Sequence, residues 1–152
     1  MNLIRKLRRV FRKDDGSSMI ELALLMPTLV LLLFAAVDFA RAYFLSTELT
    51  GAALAAAEYG IQNRTDTTGI SAAATADAPD VPNLVVSTPT WGCECSDGTG
   101  SSTNCSSKPS CSYNLVYWVA VQTSSSYTSI YPWNGIPSTI TITQSARVRS
   151  GS

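Results

Sequence analysis

The chain has 152 residues, no net formal charge and no histidine. This length suits one small domain together with a membrane anchor. The lack of histidine removes the commonest general base and metal ligand, and no nucleophile motif or ligand cluster replaces it. The composition therefore argues against an enzyme, and it predicts no cofactor and no metal site.

The charges are distributed unevenly along the sequence. Residues 1–16 contain six basic and two acidic residues, whereas the remainder contains five basic and nine acidic residues. A basic cluster that precedes an apolar segment is typical of a membrane-topology signal, because cytoplasmic flanks are enriched in lysine and arginine. The remainder has no basic stripe, so no nucleic-acid partner is predicted.

Residues 17–37 form an apolar segment in which Glu21 is the one strongly polar side chain. A helix of this length spans roughly 30 Å, the thickness of a hydrocarbon core. Pro27 lies inside the segment and removes one backbone hydrogen bond, so we expect a local kink there. Asp38 and Arg41 follow the segment and, three residues apart, can form an ion pair on one helix face.

The helical pattern continues beyond the apolar segment. Residues 46–63 are rich in alanine and contain no proline, so the sequence predicts one long helix from Ser17 to Gln62. Residues 67–79 predict a short second helix that ends at Pro79. Several small residues of the long helix leave room for another helix to approach closely: Gly51, Ala52, Ala55 and Ala56.

Beyond residue 80 the pattern becomes that of β-strands. Residues 83–91, 113–123 and 138–149 predict three strands, the second rich in β-branched and aromatic residues and the third alternating. We expect a small antiparallel sheet against the outer half of the long helix. The predicted fold class is therefore α+β, with a long transmembrane and amphipathic N-terminal helix followed by a small antiparallel sheet as the head.

Four cysteines occupy a loop-like stretch between the first two predicted strands: Cys93, Cys95, Cys105 and Cys111. Their spacing, C-x-C-x9-C-x5-C, differs from the paired cysteines of a typical zinc site. Two disulfides in an oxidising compartment fit it better. A bridge between Cys93 and Cys95 would be strained, so we expect each of these to pair with Cys105 or Cys111.

The stretch GSSMIE at residues 16–21 has three interpretations. It can belong to an ordinary signal peptide, cleaved after the small-x-small sequence at residues 40–42. It can belong to a plain membrane anchor, in which Glu21 reaches water near the headgroups. It can also be a processing and assembly signal of the form G-x4-E, in which cleavage after Gly16 retains the apolar segment.

The third interpretation gives Glu21 a physical function. Cleavage exposes an α-ammonium group at Ser17, and in a helical assembly the amine of a neighbouring subunit can lie beside Glu21. Opposite charges attract strongly at low dielectric, and breaking the pair leaves an uncompensated charge. Glu21 would then set the axial register between subunits, as one buried polar group does in coiled coils.

Residues 14–60 resemble the start of TadE-like proteins of the tight-adherence (Tad, or Flp) type IV pilus system. The resemblance rests on a junction glycine, an acid, a proline and a terminal group of four residues: Gly16, Glu21, Pro27 and Asp38-Phe39-Ala40-Arg41. The stretches TGAALAAAEYG and ITITQSARVR are also similar to segments of the family. Type IV pilins carry a class III signal peptide, which a prepilin peptidase cuts after the glycine on the cytoplasmic side.

The resemblance implies a minor pilin, or pseudopilin, in a prokaryotic cytoplasmic membrane or an extracellular pilus. Residues 1–16 would be a cytoplasmic leader, residues 17–62 a long helix that is transmembrane over residues 17–37, and residues 63–152 an extracytoplasmic head with a disulfide loop at residues 93–111. The implied partners are other pilin-like subunits, bound through the N-terminal helix, the prepilin peptidase and the membrane. The implied function is structural support for pilus assembly.

An alternative function is a membrane-anchored extracytoplasmic binding or adhesion module that never enters a filament. Three aromatic residues are candidates for binding a glycan or another surface, as at a pilus tip: Trp118, Tyr131 and Trp133. Aromatic side chains of a small sheet more often fill its core, which is the second interpretation for them.

Sequencing of the mature N-terminus distinguishes these interpretations. The pilin interpretation predicts a protein that begins at Ser17, because the peptidase cuts after Gly16 and retains the apolar segment. An intact Met1 would contradict cleavage and support the plain anchor, whereas a start at Tyr43 would indicate a secreted domain.

Overall fold

The computed structural model describes residues 17–151, and these form two helices and four strands. Helix α1 is Ser17–Gln62 and helix α2 is Thr67–Asp77; strands β1 to β4 are Val85–Val86, Thr90–Cys95, Leu115–Thr128 and Thr139–Gly151. The chain divides into two compact units, the first ending at Ala40 and the second beginning at Arg41. A long apolar helix followed by a small antiparallel sheet confirms the predicted α+β class.

The first unit contains the apolar half of α1. This helix is long and apolar enough to cross a membrane. It continues through Pro27, whose ring removes the hydrogen bond that a backbone N–H would donate to the carbonyl of Ala23. Membrane helices tolerate this loss more readily than helices in water. The expected local kink stays a prediction.

The second unit, which we call the head, packs the last part of α1 and all of α2 against one face of the sheet. Its core combines alanines from both helices with larger side chains that are at most 1% exposed: Leu49, Ile70, Val119 and Val121. Alternate residues of β3 face the helices, because successive side chains of a strand point to opposite sides. Among them, the buried Thr123 hydroxyl donates to the carbonyl of Leu49 at 2.7 Å and joins strand to helix.

Small residues of α1 allow α2 to approach closely. A Cβ atom at Gly51 would lie 2.9 Å from Oδ2 of Asp77, and one at Gly60 would lie 3.1 Å from Cδ1 of Ile70. Ala52 is fully buried. At Gly51 the close neighbour is therefore α2 of the same chain, and at Gly60 it is α2 together with Val119 of β3.

Strand β3 is the centre of the sheet, and every pairing is antiparallel. On one edge, β2 pairs with residues 115–120 of β3 and β1 pairs with residues 123–124. On the other edge, β4 pairs with residues 116–128. The two short strands thus follow one another along a single edge of β3. Their registers differ by one residue, which indicates a bulge close to Pro89, a residue that cannot donate to the ladder.

The strand bounds differ from those predicted in two respects. The predicted strand at residues 83–91 is interrupted at this bulge, and its second part continues through Cys93 and Cys95, because these residues pair with Tyr117 and Leu115 of β3. Strand β3 also extends further than predicted. Its serine-rich end pairs with the Thr-Ile alternation of β4, so a partner strand supplies the β structure that the local sequence does not indicate.

Two disulfides tie the head, as expected from the cysteine spacing. Cys93 pairs with Cys105 and Cys95 with Cys111, at Cα–Cα distances of 5.7 and 5.4 Å. Cys93 and Ser102 also exchange two backbone hydrogen bonds of 2.8 Å. The disulfide loop thereby covers the outer edge of β2, which would otherwise be open to pairing with another chain.

Loss of one bridge should destabilise the head. We expect the double variant Cys95→Ser/Cys111→Ser to lower the free energy of unfolding by roughly 2–4 kcal/mol, because the bridge restricts the unfolded chain. Guanidinium unfolding of the full chain in detergent measures this change. Ser101→Ala/Ser110→Ala, in the same loop, is the control and should leave the midpoint unchanged. Four alkylatable thiols in the unreduced protein would contradict both bridges.

Candidate functional site

The first candidate site is the apolar surface of α1 within the first unit. Its large side chains are exposed; for example, Met19, Leu24 and Leu33 are 76%, 74% and 64% exposed. None of the most apolar stretch of this helix is buried. Soluble monomers rarely expose an apolar surface of this extent, so its stable surroundings are lipid or other apolar helices.

Glu21 lies at the start of this surface. It is exposed, and its neighbours Leu22 and Leu25 are 54% and 59% exposed. Ser17, the first residue of α1, lies four residues earlier in the chain. Gly16 and the leader at residues 1–16 lie outside the described residues, so cleavage between Gly16 and Ser17 and a register role for Glu21 stay predictions.

Asp38 and Arg41 lie where α1 passes from the first unit to the second. Asp38 is 7% exposed. The guanidinium carbon of Arg41 lies 5.6 Å from the ring centroid of Tyr127, near the end of β3, which is within cation–π range. The predicted ion pair between Asp38 and Arg41 stays a prediction.

The structure separates the three candidate aromatic residues. Tyr131 and Trp133 lie together in the loop between β3 and β4, with ring centroids 5.2 Å apart in an edge-to-face arrangement. Trp118 is 8% exposed and lies ten residues before the end of β3, or about 30 Å along the strand. The guanidinium carbon of Arg147 lies 4.3 Å from the centroid of the Trp118 ring. Trp118 therefore packs within the head, and a binding role for the other two stays a prediction.

A charged cluster lies on the sheet face opposite the helices. Glu94 is 2% exposed, and it forms ion pairs with Arg147 and with Arg149, whose Nε lies 2.6 Å from Oε1. Both arginines belong to β4 and lie two residues apart, so they share one face of the strand. This R-x-R alternation is the signal in the sequence that two cations need a common acid. The sequence does not identify Glu94 as this acid, because the position of β2 relative to β4 is set by the pairing of both strands with β3.

The turn between α1 and α2 contains two groups with shifted pKa values. Asp66 accepts hydrogen bonds from the Gly69 N–H at 2.9 Å and from the Tyr59 hydroxyl at 2.8 Å. Both lower the pKa of Asp66, and the same carboxylate raises the pKa of Tyr59. Asp66 is the N-cap of α2, and its hydrogen bonds stabilise the head fully at pH values above the ordinary pKa of aspartate. This contribution is lost as the pH falls through the lowered pKa of Asp66. In the disulfide loop, the Thr99 N–H and hydroxyl lower the pKa of Asp97 similarly.

The described residues show no constellation typical of catalysis. No group of three histidine, cysteine, aspartate or glutamate residues within residues 17–151 could hold a metal ion. A shallow groove beside the junction of β1 and β2 is lined by residues without ionisable side chains: Ser87, Thr88, Thr90, Ala120, Val121, Gln122 and Ser145. The chemistry available there is hydrogen bonding and apolar contact.

A long apolar N-terminal helix followed by a small antiparallel sheet is a pilin-like layout, which is the class of protein that the fold defines. The family model described as TadE-like protein matches residues 16–58, and this confirms the resemblance predicted from the sequence. The match covers the apolar surface of α1 and most of its continuation in the head. No curated protein and no solved structure gives a significant match. TadE-like proteins are a pilin-like structural family.

The charged cluster should respond asymmetrically to substitution. Arg147→Gln/Arg149→Gln leaves the Glu94 carboxylate buried without a counter-charge, so we expect a loss of roughly 3–5 kcal/mol in the free energy of unfolding. Glu94→Gln should cost less, because the arginine side chains are 41% and 51% exposed and water can solvate them. Guanidinium unfolding of the full chain compares the variants, and a larger loss for Glu94→Gln would contradict this account.

Proposed function

We propose that this protein is a minor pilin, or pseudopilin, that supports assembly of a Tad-type pilus through its N-terminal helix. The observation that carries the proposal is the TadE-like match at residues 16–58, which coincides with an apolar helix surface that the described residues do not bury. The predicted cleavage junction, Gly16–Ser17, lies at the first residue of the matched segment.

The first step is membrane insertion with the leader in the cytoplasm. The six basic residues among residues 1–16 favour the cytoplasmic side of the membrane. Helix α1 then crosses the bilayer and the head is exported. The disulfides Cys93–Cys105 and Cys95–Cys111 support this direction, because such bonds persist in oxidising, extracytoplasmic compartments.

The second step is cleavage by the prepilin peptidase. Removal of residues 1–16 eliminates the basic cluster and creates an α-ammonium group at Ser17. This group is a single positive charge at the start of α1, four residues before Glu21. The mature helix thus carries one cation and one anion at its cytoplasmic end, and it has lost the cationic residues that would oppose movement into an apolar assembly.

The third step transfers α1 from lipid to a bundle of similar helices. Apolar side chains gain little hydrophobic energy from this exchange, since lipid tails are as apolar as leucine, so packing and polar contacts decide which helices associate. Glu21 is the polar group available for this purpose. The Ser17 amine of an adjacent subunit can compensate the charge of Glu21 at only one axial displacement between the two helices. At other displacements both charges lack a partner.

Substitution of Glu21 tests this mechanism in the organism that makes the protein. Glu21→Ala and Glu21→Gln should still be cleaved to a protein that begins at Ser17, but both should lose pilus assembly and cross-linking to other pilins, because the compensating charge is gone. Leu22→Ala is the matched control, since it removes an apolar side chain from the same turn. Immunoblots report cleavage, and electron microscopy of surface pili reports assembly.

Three outcomes would contradict the proposal at different points. Normal piliation with Glu21→Ala would show that the acid does not set the register. Deletion of the whole gene without any change in pili would show that the protein does not support assembly. An intact leader on the wild-type protein would contradict cleavage and favour a plain membrane anchor.

A further inference from the structure

Strand β4 forms one edge of the sheet over its whole length. It has 13 residues, whereas edge strands of natural proteins are usually short, charged or covered. All of them pair with β3 in one continuous register, so no bulge twists this edge away from a partner. Among residues 17–151, β4 pairs with β3 alone. The other side of the sheet differs, because the disulfide loop covers the outer edge of β2.

The hydrogen bonds of β2 determine which backbone groups of β4 point outward. Cys93 exchanges two backbone hydrogen bonds with Ser102, so its N–H and C=O point away from β3. Residues opposite each other in an antiparallel pair either both point inward or both point outward. Tyr117, opposite Cys93, therefore directs its groups toward β4, as do the other odd-numbered residues of β3. The Ser129 N–H, which donates to the Ser138 carbonyl at 2.9 Å, agrees with this alternation.

The odd-numbered residues of β4 direct their N–H and C=O groups away from the sheet. This follows because each odd-numbered residue of β3 lies opposite an even-numbered residue of β4. We call the row of outward backbone groups at residues 139–149 the β4 edge. Residues 139–146 contain neither a charged residue nor proline, which are residue types that discourage pairing at an edge. The β4 edge can therefore accept a further strand without rearrangement of the sheet.

The even-numbered side chains of β4 face the helices but are incompletely covered. Ile142, Ala146 and Val148 pack against the core and are only partly buried, and Ile140 is 41% exposed. In the central strand, by contrast, Val121 is 1% exposed. A strand added beside β4 places its own side chains next to this aliphatic row, and β-branched residues suit such half-buried positions.

The odd-numbered side chains give the β4 edge a charge preference. Arg147 and Arg149 share one acid, Glu94, so two cations and one anion leave a net charge of +1. The two arginine side chains are 41% and 51% exposed, so a second carboxylate can approach them. An opposite charge directly across an antiparallel pair stabilises the pairing. An acid in the added strand opposite Arg147 therefore suits this end of β4.

We propose that the β4 edge is a strand-addition site for an extended segment of a partner protein, rich in β-branched residues and carrying an acid opposite Arg147. The segment adds antiparallel to β4, as the other strands of this sheet pair. Backbone hydrogen bonds supply affinity and alternate side chains supply specificity in this mode of recognition. A second copy of β4 matches the site poorly, because residues 139–151 contain no acid. The proposal concerns the head and does not depend on the proposed role of α1.

A synthetic peptide tests the site on the full, oxidised protein in detergent. The peptide consists of valine, glutamate and then four valine–threonine pairs, so that its glutamate aligns with Arg147 and its threonines align with the odd-numbered residues from 145 to 139. In amide hydrogen exchange followed by NMR, we expect the peptide to slow exchange at Thr141 and Thr143, whose N–H groups point outward. Ile142 is the internal control, because its N–H already bonds to β3.

Methylation of selected peptide nitrogens supplies a control that leaves the protein unchanged. In the added strand, the threonine N–H groups point toward β4 and the valine N–H groups point away. A peptide methylated on its threonine nitrogens should therefore lose binding, whereas one methylated on its valine nitrogens should keep it. Replacement of the peptide glutamate by glutamine should weaken binding roughly two- to fivefold, because the charge pair with Arg147 is lost.

The variant Thr143→Pro makes the corresponding change in the protein. It removes an N–H that points outward and none that bonds to β3, and proline is tolerated at such edge positions. We expect the head to stay folded, as near-ultraviolet circular dichroism reports, and to bind the peptide about fivefold more weakly. Thr143→Val keeps the N–H, so this matched control should bind the peptide like the wild type.

Three results would overturn the proposal. The first is unchanged exchange at Thr141 and Thr143 in the presence of millimolar peptide. The second is equal binding of the two methylated peptides, or of the glutamate and glutamine peptides. The third is protection of the same two amides without peptide that disappears on dilution, which would show that a second copy covers the β4 edge. None of these results bears on the role of α1, which the Glu21 variants test separately.

Discussion

Helix α1 must satisfy two different surroundings with one continuous backbone. In lipid, every backbone polar group needs a partner within the segment, which a helix provides. In the head, the same helix must approach a second helix and a sheet closely, which requires small side chains. The sequence changes from leucine-rich to alanine-rich along α1 for this reason. Ala52 and Ala56 are fully buried in the head, whereas Leu24 and Leu33 remain exposed for lipid or other helices.

Local sequence determined those parts of the fold that depend on composition and helix signals. The continuous alanine-rich pattern predicted α1 as far as Gln62, and Pro79 marked the end of the second helix to within two residues of Asp77. The close spacing of the cysteines predicted two disulfides. Each of these features follows from residues near one another in the chain.

Features that depend on strand register could not be predicted in the same way. The pairing of Cys93 with Cys105 required the position of β2 against β3, since the spacing left two arrangements open. Trp118 is covered by Arg147, which lies over its ring. The two residues belong to β3 and β4, which pair with each other but are joined by a long loop. Glu94 lies between two cysteines in the sequence, and only the position of β2 in the sheet brings it under two arginines. A shift of β4 by one residue would turn both arginines toward the helices, so the cluster also fixes the register of β4.

Both disulfides start from β2, so the state of this strand's outer edge depends on thiol oxidation. The outer edge of this strand is covered by backbone hydrogen bonds from Ser102 and Thr99, and these residues belong to the loop that the two bridges hold in place. Before oxidation, that row of N–H and C=O groups is free to recruit a foreign strand. Oxidation of the thiols therefore holds the covering loop on β2 and reduces the tendency of this edge to pair with another chain.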